Sequence, residues 1–241
     1  MSTIFDLGNK LAVLTGGAGI LGSEMARGLI ESGARVVIVD KSTASAEELA
    51  HRLGDRAFAY GVDITDPAAL DELFQEIERT IGATEILINN AATKSENFFA
   101  PFESYPLEDW DAVMSVNLRA FMMCCQRFGG AMAQRGHGSV INTLSIYGIA
   151  APDQRIYEGS WYEGAPINTP AVYSASKAAL WGLTRYLAAY WGAKGVRVNA
   201  VTPGGAQSGQ NDVFVERYSA RVPLGRMAAP SDMVGAVCFL A

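Results

Sequence analysis

The sequence predicts an α/β fold of three layers, a parallel sheet with helices on both faces. Three observations predict it. Short apolar runs of strand type alternate with longer helical patterns over the whole 241 residues. The runs are apolar on both faces, as strands are when helices cover both sides of a sheet. A glycine-rich turn joins the first run to the first helix, where open α/β sheets bind ligands. Hydrophobic residues make up 49% of the chain, enough for one large core. α/β chains of this length often stay single, so residues 1–241 are read as one domain.

The elements follow in order. Leu11-Ala12-Val13-Leu14 is the first strand, residues 16–22 the turn, and a helical stretch runs to about Ser32. Arg35 to Asp40 is the second strand, residues 43–53 a helix, and Ala57 to Tyr60 the third strand. Asp66-Pro67 opens a helix, with an N-cap and a proline at its first position. Glu85 to Ile88 is the fourth strand, and a long helical pattern runs from about Leu107 to Gln134. Ser139 to Thr143, a helix over 171–193 and Val196 to Val201 continue the alternation. Ser231 is placed to cap a final helix. The irregular stretches 92–106, 146–170 and 203–229 each follow a strand and are expected at the ligand-binding edge.

Composition excludes several classes. The formal net charge of −6 argues against nucleic acid or an anionic membrane surface as partner. The opening residues Met1 to Asp6 lack the basic and apolar regions of a secretion signal. No uncharged apolar run is long enough to span a bilayer. Cys124, Cys125 and Cys238 read as free thiols of a reducing, cytoplasmic compartment. His51 and His137 stand apart and read as surface residues, so no metal site is expected.

Two constellations carry chemistry. In the turn Thr15-Gly16-Gly17-Ala18-Gly19-Ile20-Leu21-Gly22, glycines permit close approach of backbone N–H groups to a pyrophosphate, and the helix start favours that anion. Asp40 ends the second strand, 24 residues after Gly16. An acid there hydrogen-bonds both ribose hydroxyls and repels a 2′-phosphate, which favours NAD over NADP; Lys41 beside it works the other way. In the second constellation, Tyr173-Ser174-Ala175-Ser176-Lys177, a helix puts Tyr173 and Lys177 on one face. An ammonium that close favours phenolate, and the phenol so tuned passes a proton to or from an alcohol oxygen. A Tyr-x-x-x-Lys pair alone is a weak signal; a cofactor turn and a polarising group in the same chain make it a strong one.

With these residues together, the chain resembles the short-chain dehydrogenase/reductase family over essentially its whole length. The matches come in family order: the glycine turn, Asp63 after the third strand, Asn89-Asn90-Ala91-Ala92 after the fourth, Asn117 in the long helix, Ser145 after the fifth, Tyr173 and Lys177, then Pro203-Gly204 after the sixth. The resemblance implies a Rossmann-type doubly wound sheet, a nicotinamide cofactor and a homotetramer or dimer built on helix faces. It implies cofactor contacts from Gly16, Gly19, Ile20, Leu21 and Gly22, and from Asp40 and Lys41. Asp63 and Ile64 would flank the adenine, Asn90, Ala91 and Ala92 the adenosine ribose, and Pro203, Gly204 and Ala206 the nicotinamide end. Ser145 would hold the substrate oxygen and Tyr173 would transfer the proton. Lys177 would lower the tyrosine pKa and bind the nicotinamide ribose, and Asn117 would position a water leading the proton to solvent.

Three departures are particular to this chain. The glycines follow T-G-x-x-G-x-x-G, the spacing of the longer sugar-nucleotide branch, with Ile20 where the short branch usually has glycine. Ser145 precedes Tyr173 by 28 residues, farther than the family usually shows, so 146–172 contains an insertion. The sequence ends at Phe239-Leu240-Ala241 within a helical pattern, where the family continues into another strand. The expected activity is hydride transfer between the cofactor and a secondary alcohol or ketone. A polar or sugar-like substrate fits Asp153, Arg155, Glu158, Glu163 and Asn168, with Tyr157, Trp161 and Tyr162 as a wall. Ser145, Tyr147, Trp161 and Tyr173 are the expected substrate contacts. A 3-oxoacyl thioester reductase, a sugar-nucleotide epimerase or dehydratase, and a non-catalytic NAD-binding protein stay open as alternatives.

Overall fold

The computed structural model describes residues 5–162 and 164–241. Glu163, one of the expected polar residues, and the side chain of Tyr162, part of the expected wall, lie outside the described residues, as do residues 1–4. The strands of the main sheet are β1 (Leu11–Thr15), β2 (Arg35–Asp40), β3 (Ala57–Gly61), β4 (Ile86–Asn89), β5 (Gly138–Thr143) and, after a short hairpin of β6 (Trp161–Tyr162) and β7 (Ala165–Pro166), β8 (Val196–Val201). All pairings in the main sheet are parallel, in the order β3-β2-β1-β4-β5-β8. This is the Rossmann order. The connections leave in opposite directions from β1 and β4, which opens a crevice between the ends of those two strands.

Side-chain alternation along the strands builds the three layers. Val13, Val37, Leu87, Val140 and Val198 face one side, against Leu70 and Ile77 of α3 (Pro67–Thr80), Phe121 and Phe128 of α4 (residues 107–135) and Leu180 of α5 (Ala171–Gly192). Leu14, Val36, Ile38, Ile88 and Ile141 face the other side. There they meet Met25 and Leu29 of α1 (Ile20–Glu31), Leu49 of α2 (Thr43–Leu53) and Val237 near the chain end. Asp66 caps α3 as expected, accepting from the N–H of Ala68 at 2.8 Å, with Pro67 at the first helical position.

Three local expectations are corrected. The long helix α4 is not uniform: Ser115–Ala120 and Cys125–Gly129 are wound as π-helix, a form that sequence periodicity does not signal and that often occurs at functional sites. Ser231 is not a cap. It lies inside a 3₁₀ turn, Pro230–Met233, where Asp232 accepts from the Ala229 N–H at 2.9 Å; α-winding starts only at Val234–Leu240. The stretch 146–170 is less irregular than expected. It contains 3₁₀ turns at Ile146–Gly148 and Gln154–Tyr157 and the β6–β7 hairpin.

The insertion is packed rather than loose. Ile156 is buried with Phe214 and Tyr218 of α6 (Asp212–Ser219) and with Met227. Asp153 is bonded to Arg155 and to Arg221, and Arg217 donates to the carbonyl of Glu158. The insertion and the 203–229 stretch thus form one satellite cluster over the sheet's carboxyl edge.

Candidate active site

The crevice starts where β1 and β4 end. Gly16 has φ +61°, and a Cβ there would stand 2.6 Å from the Cα of Ala91. Glycine is therefore required both for the left-handed turn and for the contact between strand ends. A Cβ on Gly22 would meet the Gly16 carbonyl at 2.2 Å, so the third glycine lets α1 start against the turn. Thr15 ties the two strand ends together: its hydroxyl accepts from the N–H groups of Asn90 and Ala91 at 3.1 and 3.3 Å. The Asn90 amide donates to the Gly16 carbonyl at 3.1 Å. No side chain caps α1, whose N-cap is Gly19, so its first N–H groups are left to a ligand.

A cleft of about 370 Å³ extends from this turn across β2. Gly16, Asp40, Lys41, Asp63, Ile64, Ala91 and Ala92, all expected cofactor contacts, line it together. Asp40 accepts from the N–H of Ala18 and of Ser42, both at 3.1 Å, which holds its carboxylate at the mouth of the turn. Lys41 is paired with Asp63 at 2.9 Å. Hydrogen bonds from Thr65 and Lys41 hold the Asp63 carboxyl down at about 2. Gly19, Ile20, Leu21 and Gly22 form the helix start beside the cleft rather than its lining, and Ile20 is half exposed. The glycine cradle, the uncapped helix start and the Asp40 carboxylate fit the pyrophosphate and ribose of a dinucleotide.

A second cleft, of about 350 Å³, meets the first at Ala92 and Thr93. All three irregular stretches contribute to it: Phe98 and Phe99, then Tyr147, Tyr157, Asn168 and Thr169, then Ser208, Gln210 and Phe214. Tyr173 lines it from α5. The Ser145 hydroxyl acts to lower the pKa of the Tyr173 phenol, but burial outweighs this and the pKa lies above the ordinary value. Pro203, Gly204 and Ala206 follow β8 at the same edge; the Pro203 carbonyl accepts from Ile146 at 3.1 Å. Tyr218 accepts from the Gly205 N–H, and a Cβ on Gly205 would strike its ring at 2.6 Å.

The expected arrangement holds in part. Lys177 is buried at 2% exposure, one turn after Tyr173, and its ammonium lies 5.8 Å from the tyrosine ring centroid. Its nearest partner is the Thr143 carbonyl, to which it donates at 2.7 Å. The expectation that Lys177 depresses the Tyr173 pKa is corrected. The ammonium is bonded to β5 rather than to the phenol, and desolvation raises the tyrosine while lowering the lysine itself to about 8.

Asn117 is fully buried in the π-wound turn. Its amide accepts from Thr93 N–H at 3.2 Å and donates to Ser176 at 3.3 Å, which leaves one lone pair and one N–H for a water. Trp161 is corrected as a substrate contact: paired with Pro166 in the hairpin, it is 50% exposed and outside the cleft. Thr15 and Thr169 were not singled out as site residues by the sequence, whereas Tyr157, expected in the wall, does line the cleft. Thr15 had a signal, its place at the head of the glycine turn; Thr169 had none.

Residues 17–241 match the family model described as enoyl-(acyl carrier protein) reductase. A D-threitol dehydrogenase of Mycolicibacterium smegmatis is 31% identical, over 98% of this chain and 87% of its own length. The crystal structure of a short-chain dehydrogenase from Leptospira borgpetersenii with bound NAD+ is 33% identical, with a TM-score of 0.88, covering 100% of this chain and 89% of the other. A gluconate 5-dehydrogenase from Burkholderia cenocepacia in complex with NADP and tartrate is 31% identical, with a TM-score of 0.86, covering 98% and 89%. With this sheet order, this crevice and these relatives, the chain belongs to the short-chain dehydrogenase/reductase family and is an NAD(P)-dependent alcohol oxidoreductase of it.

Proposed function

We propose that the protein interconverts a secondary hydroxyl of a polyol or sugar-like compound and the corresponding ketone, using NAD in preference to NADP. The observation that carries the reading is Tyr173, with Ser145 beside it, at a cleft lined mainly by aromatic rings, hydroxyls and amides. Aromatic faces pack against the C–H groups of such a molecule while the polar tips meet its hydroxyls. D-threitol and gluconate are named for two of the relatives above.

When bound, the nicotinamide cofactor exchanges a hydride with the carbinol carbon. The protein's part is the proton and the alignment. Ser145 holds the substrate oxygen, and Tyr173 donates the proton in reduction and accepts it in oxidation. Burial keeps the phenol protonated at neutral pH, the form needed for reduction. Lys177, fixed on the Thr143 carbonyl and near the phenol ring, would hold the cofactor's ribose, and Asn117 would hold a water on the proton's path.

The preference for NAD rests on Asp40. Its carboxylate lines the cleft and would face a 2′-phosphate, while the neighbouring cation, Lys41, is engaged by Asp63. The reading includes a homo-oligomer in the reducing cytoplasm. Trp181, Tyr186 and Tyr190 are exposed along α5, and the three cysteines are buried free thiols.

Measuring NADH formation with a panel of four- to six-carbon polyols and sugar acids, and NADH consumption with 3-oxoacyl thioesters, tests the reading. Turnover of a polyol or its ketone is expected. Turnover confined to the thioesters makes the protein an oxoacyl reductase instead, and cofactor binding without turnover of any of these makes it a binding protein.

A further inference from the structure

The substrate cleft contains a chain of hydroxyls that the Ser145–Tyr173 pair does not account for. Tyr147, Tyr157 and Thr169 all line it, and all three lie in the 146–172 segment. The Tyr157 phenol donates to the Tyr147 phenol at 3.3 Å and is also bonded to the Thr169 hydroxyl. A hydroxyl has one proton to give. Because Tyr157 gives its proton to Tyr147, Thr169 is the donor in the other bond. The Tyr147 O–H then has no acceptor among the described residues and is the one donor of the chain left for a ligand.

Both ends of the arrangement are fixed. The backbone N–H of Tyr147 donates to Ser145 Oγ at 3.2 Å, so its ring leaves the chain two residues from the serine that meets the reacting oxygen. The Tyr157 ring stacks on Phe214 at 5.4 Å between centroids, and Gln154 at the head of the same 3₁₀ turn donates to the Thr169 carbonyl at 3.2 Å. The insertion thus supplies a rigid, already bonded phenol whose one free function is to orient its neighbour.

We propose that Tyr157 is a positioning residue that fixes Tyr147 as a hydrogen-bond donor, and that Tyr147 reads the oxygen on the carbon next to the reacting one, so that the site selects vicinal diols over simple secondary alcohols. The proposal rests on the reading of the cleft as a polyol site. A site built to bond a hydroxyl discriminates strongly against the analogue lacking it, because its own buried polar group is then left unpaired.

The test compares kcat/KM for the best polyol with that for its analogue deoxygenated at the neighbouring carbon. It uses the wild type, Tyr147→Phe, Tyr157→Phe and the double variant. Each change removes a hydroxyl and keeps the ring, and NAD affinity and Tm serve as controls that are expected not to move. The wild type is expected to favour the polyol by tenfold or more. Tyr147→Phe lowers that ratio by about tenfold through the polyol alone. Tyr157→Phe lowers it in the same direction, and the double variant is no worse than Tyr147→Phe, because Tyr157 acts through Tyr147. An unchanged ratio in Tyr157→Phe, an equal fall for both substrates, or multiplying effects in the double variant would overturn the proposal and leave the polyol reading intact. A wild type that does not prefer the polyol overturns that reading, and this assignment with it.

Discussion

Lys177 shows how one buried group combines function and cost. Burial holds its pKa at about 8, against an ordinary value of 10.5, because desolvation penalises the ammonium more than the bond to Thr143 restores. The sign follows from proton counts. Below pH 8 the lysine is charged in both folded and unfolded chains, and the full penalty acts. Between about pH 8 and 10.5 the unfolded chain keeps a proton that the folded chain has lost, so this group's contribution to stability rises with pH. The size is on the order of 3 kcal/mol. Buried Cys124 and Cys125 act oppositely, since burial raises both thiols and Cys125 reaches about 12; the unfolded chain ionises first, and stability falls above the ordinary thiol range. The clean readout is therefore a difference. Without cofactor, the Tm gap between Lys177→Met and the wild type should narrow as pH rises from 7.5 to 9.5. A gap independent of pH would show that the lysine is not desolvated as described.

At the scale of elements, legibility follows the physics of each segment. The strands and the glycine turn were readable because burial on both faces and left-handed backbone leave strong marks in sequence, and Gly16 could be no other residue. The order Ser145, Tyr173, Lys177 was readable through the family likeness, although the electrostatic balance at Tyr173 was not, since it depends on where the ammonium is anchored. The π-winding around Asn117 and the choice between Trp161 and Tyr157 were not legible, because both depend on tertiary packing. An aromatic residue in a loop looks the same in sequence whether it faces a cleft or solvent. The structure separates the two: Tyr157 stacks on Phe214 inside the cleft, and Trp161 stands half exposed on the hairpin. Trp161→Ala is accordingly expected to change kcat/KM for any substrate by less than about twofold and stability by about 0.5 kcal/mol or less. A tenfold loss in kcat/KM would restore it to the substrate wall.

At the scale of the whole molecule, the sheet order brings distant segments to one edge. The reversal between β1 and β4 opens the dinucleotide crevice, and the insertion and the 203–229 stretch close the substrate end through a shared apolar cluster. The two clefts meet at Ala92 and Thr93, and in the proposed reading cofactor and substrate would lie end to end with Tyr173 in the substrate half. In the cofactor half, the proposed preference for NAD rests on Asp40. Calorimetry is expected to give a Kd for NAD at least tenfold below that for NADP, about 1.4 kcal/mol, with the gap narrowed in Asp40→Ala. Equal affinities in the wild type would remove Asp40 from that role. The central claim is that the Tyr173 phenol carries the proton while the crevice separately holds the cofactor. Tyr173→Phe keeps the ring packed near Phe98 and removes only the hydroxyl. Steady-state turnover of the best alcohol by this variant, with NAD affinity measured on the same sample, is the most direct test. The account predicts a fall in kcat of about 10²-fold or more with NAD affinity nearly unchanged; a variant that keeps half its turnover would contradict it.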